Sequence, residues 1–111
     1  MELSARLASA RSDWEDGVRR LERARRDPDR AEVIDRVVYA IRRELHRRIG
    51  QTYTLSELLH VYQDSSSWCQ DVAQRVAPGA SYATELGVVA DPVFAQAARG
   101  ASDWTPYGRR S

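Results

Sequence analysis

The side chains able to do covalent or acid–base chemistry are few. His46, His60 and Cys69 are the whole supply of imidazole and thiol. A Cys–His nucleophile pair needs hydrogen-bond contact, and His60 and Cys69 stand nine residues apart, about 13 Å along a continuous helix. His46 follows Leu45 on an arginine-rich stretch and reads as a surface histidine off the apolar stripe. The chain has no glycine-rich phosphate loop, no histidine–carboxylate metal spacing and no G-x-S-x-G elbow. A single cysteine allows no internal disulfide and argues against a cysteine-rich zinc or iron–sulfur site; it reads as a small core hydrophobe. The expectation is a protein without catalytic, cofactor or metal-ligating residues.

Arginine and the aromatics are the remaining chemistry. All 17 basic residues are arginine, and 13 of them precede Gly50, as Arg19-Arg20, Arg23, Arg25-Arg26, Arg42-Arg43 and Arg47-Arg48 among others. A phosphate-binding surface would draw on Arg19, Arg23 and Arg26 at one end and on Arg42, Arg43 and Arg47 at the other. The competing reading is a solvated helix face: Glu15 and Arg19, Asp16 and Arg20, Glu32 and Arg36, and Glu44 and Arg48 stand at i,i+4 with the acid first, each pair contributing about 0.2–0.5 kcal/mol. The first 50 residues hold 13 basic and 10 acidic side chains, a net +3, and the remaining 61 hold four and six, a net −2. Such an excess is too small for a non-specific nucleic-acid coat, though it suffices for a few phosphate contacts. Trp14 falls on an apolar stripe and is expected in the core. Trp68, Trp104 and Tyr107 are the candidate anchors for a protein partner, since Trp, Tyr and Arg dominate binding hot spots.

These residues must be positioned by helices. Leu3, Leu7, Ala10, Trp14, Gly17 or Val18, and Leu21 keep one stripe apolar, predicting a helix over 4–26. Asp27-Pro28 supplies a cap and a proline suited to the first helical position. A second stripe, Ala31, Ile34, Val38, Ile41, Leu45 and Ile49, runs to Gly50, a residue that ends helices in left-handed geometry. A tight turn between two such helices predicts a long antiparallel, coiled-coil-like hairpin over 1–50. Thr54 and Glu57 form a capping box before Leu55, Leu58, Leu59 and Tyr62. The stripe stays in phase through Ser66, Cys69, Val72, Ala73 and Val76, which favours one long third helix to Ala77. A short fourth helix is expected from Asp91-Pro92, again a cap followed by a proline, to Gly100, with both later helices packed across the hairpin as a cap over 51–104. Residues 105–111 read as a loose polar tail, and no strand alternation is found.

Tyr53-Thr54-Leu55-Ser56-Glu57-Leu58 resembles the opening of bacterial helix-turn-helix domains. That resemblance implies a turn at Asp64 to Ser67 and a recognition helix from Trp68 to Val76 in the major groove. Asp27 and Asp29, between Arg26 and Arg30, resemble the acidic turn of helical-hairpin factors that hold a metal at a polymerase active site. The absence of lysine and asparagine and the abundance of alanine make the chain similar to the small arginine-rich helical proteins of actinobacteria.

The whole of 111 residues, 42% hydrophobic and 30% charged, fits one all-α domain over 1–104, large enough to fold around one core. No apolar run reaches the ~18 residues a membrane span needs, and the first residues show no secretory core, so the cytoplasm is the expected compartment. The best reading is a non-enzymatic interaction module, an adaptor or regulatory subunit that binds a protein partner through helix faces and forms a homodimer. Its competitor is a nucleic-acid-binding protein, either a degenerate helix-turn-helix regulator or a helical subunit of a nucleoprotein complex.

Overall fold

The computed structural model describes residues 2–80 and 89–105. All regular structure among them is helical: α1 (Glu2–Ala24), α2 (Pro28–Ile49), α3 (Leu55–Gln63), α4 (Ser65–Val76) and α5 (Ala90–Arg99). None of these helices is long and apolar enough to cross a membrane. Tyr107 and the tail beyond Thr105 lie outside the described residues.

The ends of α2 follow from local chemistry. The Asp27 carboxylate accepts a hydrogen bond from the Asp29 N–H at 3.1 Å, and Pro28 opens the helix without wasting a donor. Gly50 closes it with φ 76°, where a side chain would be strained, and donates its N–H to the His46 carbonyl at 2.8 Å. The last turn of α1 is tied across the bend to α2 by Arg25, whose Nε and one terminal nitrogen meet the Asp35 carboxylate at 2.8 and 2.9 Å.

The two long stripes find other partners than each other. α1 packs most extensively on α5, and α2 on α4. The reason lies in α5, which buries Pro92, Val93, Phe94, Ala95, Ala97 and Ala98 and so touches α1, α2 and α3. A helix apolar on nearly all sides belongs in an interior, and small alanines let neighbours come close. Gly17 marks the tightest approach. A β-carbon there would lie 2.4 Å from Cβ of Asp91 and 3.1 Å from Cδ of Pro92.

The expected long third helix is instead two helices that meet at Asp64. Its N–H turns back to the Val61 carbonyl at 3.2 Å, and the Ser65 hydroxyl donates to the Tyr62 carbonyl at 2.7 Å. Serine competes in this way for backbone groups, and Asp64-Ser65-Ser66-Ser67 offers weak helix formers where the chain must redirect. The redirection shifts the buried stripe. Ser65, Trp68, Cys69, Val72 and Ala73 face inward, while Ser66, placed on the stripe by its spacing, is exposed.

Around the centre, Trp14 meets Tyr62 edge-on at 5.3 Å and lies near-parallel to Phe94 at 5.9 Å, while Tyr62 and Trp68 reach Phe94 at 5.0 and 6.4 Å. Four rings from four helices thus lock α1, α3, α4 and α5 together, each pair adding about 0.5–1.5 kcal/mol beyond its buried area. The chain after α5 is clasped to the start of α3: Tyr53 donates its hydroxyl to the Ala97 carbonyl at 2.7 Å, Ser102 N–H to the Tyr53 carbonyl at 2.8 Å, and Leu55 N–H to the Asp103 carboxylate at 2.8 Å.

Candidate interaction face

The residues singled out for chemistry are scattered. His46 and His60 are exposed on α2 and α3. Cys69 is fully buried, and that burial pushes its thiol up to about 12, far from a reactive thiolate. Among the described residues no group of three His, Cys, Asp or Glu side chains comes together to hold a metal ion.

Asp91 does not cap α5; Val89 stands at that position, without a side-chain cap. The Asp91 carboxylate instead accepts the Tyr62 hydroxyl at 2.9 Å and faces Arg20 at 3.4 Å. Burial holds this acid above the ordinary carboxylate range, against the pull of Tyr62 and Arg20. The same burial, with the Asp91 charge beside it, raises the Tyr62 phenol. This is an inter-helix tie, with Asp91 mostly covered by protein.

The three candidate anchors have different fates. Trp68 is buried, one face covered by the Arg48 guanidinium 4.8 Å from its ring centre. Trp104 is half-buried against the core and walls a groove of about 540 Å³ between α1 and α5. The charged groups of that groove are engaged: Arg99 with Glu15 at 3.5 Å, Arg19 with Asp16, and Arg11 with the Thr105 carbonyl at 3.1 Å.

The structure also sorts the arginines by partner. Arg36 pairs with Glu32 and Arg48 with Glu44, as the i,i+4 spacing predicts. Arg19 takes Asp16 rather than Glu15, and Arg20 takes Asp91 rather than Asp16. Of the candidate phosphate-binding set, Arg42 bonds to Gln96 at 2.8 Å and Arg47 to Glu44 at 2.9 Å. Arg43 meets no carboxylate and lies over the Tyr39 ring at 5.8 Å. Among the described residues, Arg23 and Arg26, with Arg30 beside them, make no side-chain hydrogen bond, ion pair or ring contact, and neither does Arg75 on α4.

Arg43 and Arg75 come together with an aromatic the sequence reading passed over. Tyr39 is 59% exposed, the most uncovered large hydrophobic side chain among the described residues. With Ala40, Arg43, Glu44 and Arg47 it forms the α2 side of a trough of about 280 Å³ whose α4 side is Val72, Arg75 and Val76. Tyr39 stands off the apolar stripe of α2, four residues before Arg43. An aromatic on a polar helix face, one turn from an arginine, was the available signal. Arg75 also has an acid one turn earlier, Asp71, yet among the described residues it forms no ion pair.

The helix-turn-helix resemblance implied a turn over Asp64 to Ser67 and a helix from Trp68; the chain instead breaks at Asp64 alone, with Ser65 to Ser67 already in α4, which presents Ser66, Ser67, Gln70, Asp71, Gln74 and Arg75 outward. Comparison with protein-family models, with curated proteins and with solved structures finds no match to this chain.

Proposed function

We propose that this chain is a non-enzymatic protein-interaction module of the cytoplasm, an adaptor or regulatory subunit that binds a protein partner through the joined face of α2 and α4. The observation that carries the reading is Tyr39, left 59% exposed under the Arg43 guanidinium beside an arginine-lined trough. Exposing a tyrosine ring to water has no folding benefit, and tyrosine with arginine is the usual composition of a binding hot spot. A second copy of the chain is one such partner. The test is a photo-cross-linking amino acid at position 39 in the cells that make the protein. A discrete protease-sensitive adduct, absent when the probe sits at exposed position 16, is the expected result; a nuclease-sensitive adduct, or none, overturns it.

The second reading is nucleic-acid binding, favoured by the hydrogen-bonding side chains Ser67, Gln70 and Gln74 on the outer face of α4 and by the unpartnered Arg23 and Arg26. A salt titration separates the two. Phosphate binding weakens steeply as salt rises, whereas an apolar helix interface responds little.

A further inference from the structure

We propose that the trough between α2 and α4 receives an acidic amphipathic helix of the partner protein. The inference rests on the interaction-module reading and adds the chemistry of the occupant. Three features of the trough argue for it.

The first is shape. Arg48 of α2 lies over Trp68 of α4, while Tyr39 to Arg47 flank Val72 to Val76. As numbers fall along α2 they rise along α4, so the two helices run antiparallel, and the seam between them is open to a third helix. Tyr39 to Arg47 is eight steps along the helix, roughly 12 Å or two turns.

The second is the floor. Ala40 and Val76 are partly buried and Val72 is 3% exposed, so the base of the trough suits the apolar stripe of an entering helix rather than a solvated chain.

The third is charge. Arg43, Arg47 and Arg75 rim the trough, and Glu44, the carboxylate in it, is already shared between Arg47 and Arg48. Among the described residues Arg43 and Arg75 therefore face outward without an acid, one from each wall, as Arg23, Arg26 and Arg30 do at the α1–α2 bend, where no apolar trough lies between them. Acidic side chains on the two flanks of an entering helix would complete both walls. A phosphate backbone fits less well, because it has no apolar stripe to lay on the floor of Ala40, Val72 and Val76.

The test uses the full chain and two dye-labelled helical peptides of about 16 residues with the same leucine stripe, one flanked by glutamate and one by lysine, read by fluorescence anisotropy. The acidic peptide is expected to bind and the lysine peptide not. Reversing both exposed arginines, Arg43→Glu with Arg75→Glu, should weaken the acidic peptide by about tenfold or more and admit the lysine peptide, with helicity by circular dichroism unchanged. Tyr39→Ala should weaken it independently. Equal binding of the two peptides, no binding of either, or indifference to the arginine reversals overturns the inference. So does displacement of the acidic peptide by a single-stranded oligonucleotide, which makes nucleic acid the occupant. A protein adduct from position 39 in the face of any of these results leaves the module reading standing and removes only the acidic helix.

Discussion

Gly17→Ala is the sharpest probe of how the helices meet. In the interior of an exposed helix this change stabilises by about 1 kcal/mol, because glycine is the more flexible residue in the unfolded chain. Here the new β-carbon would lie 2.4 Å from Cβ of Asp91 and 3.1 Å from Cδ of Pro92. Neither atom is the far end of a flexible side chain. Asp91 is held by Tyr62 at 2.9 Å and by Arg20 at 3.4 Å, and Pro92 is buried in the first turn of α5. Relief requires α5 to move by roughly 1 Å, which also disturbs the Trp14–Phe94 stack at 5.9 Å. Overpacking of this kind costs about 1–3 kcal/mol, so the net effect after the propensity gain is a destabilisation of up to about 2 kcal/mol. Urea unfolding by far-ultraviolet circular dichroism should show a midpoint lower by up to about 1 M at a typical slope for a small domain. Ser9→Ala, on the exposed face of α1, calibrates the propensity gain in the same helix. A Gly17→Ala midpoint that rises with it would refute the close approach of α1 to α5.

Three further outcomes follow from the same geometry. Cys69 should resist an aromatic disulfide reagent at neutral pH in the folded protein and react at once in denaturant; rapid labelling of the native state would contradict its complete burial. Asp91 takes up its proton more readily when folded than when unfolded, so its contribution to stability falls as pH rises from about 4 through the raised folded value and is flat above it. The stability of the natural chain minus that of Asp91→Asn, from urea midpoints, should therefore shrink with rising pH over that window, and a growing difference would reverse the assignment. Thr54→Ala removes the hydroxyl that accepts the Glu57 N–H at 3.1 Å and should cost about 1 kcal/mol, read as the loss in thermal midpoint; no loss would mean that the Asp103 cap suffices alone.

What was legible in the sequence was short-range. Asp27-Pro28, Gly50 and the Thr54–Glu57 box each act within four residues, and the structure puts the helix ends there. The buried positions Ile34, Ile41 and Leu45 of α2 follow in the same way from a 3.6-residue period. Long-range geometry was not legible. The break at Asp64 is decided by where α4 must lie, and the apolar phase ran through it because several alignments of Ser65, Ser66, Trp68 and Cys69 satisfy a helical period. The role of α5 was hidden by its alanines, whose value is in permitting close approach from several sides at once. Asp91 looked like a cap because it precedes proline, and only the meeting of three helices shows that Tyr62 and Arg20 claim it instead. Tyr39 was missed for the converse reason: periodicity searches for what is buried, and its information lies in being left out.

Position 39 is also where binding and folding should separate. Tyr39 lies outside the core and its ring contact is with Arg43, so the unfolding free energy of Tyr39→Ala from urea titration should stay within about 0.5 kcal/mol of the natural chain, the range of surface substitutions. The most direct measurement is the yield of a partner adduct from a photo-cross-linker at exposed position 71, one residue before Val72 of the trough, with and without Tyr39→Ala. The account predicts that the adduct is lost while stability is kept. An undiminished adduct from a stably folded Tyr39→Ala chain would contradict it.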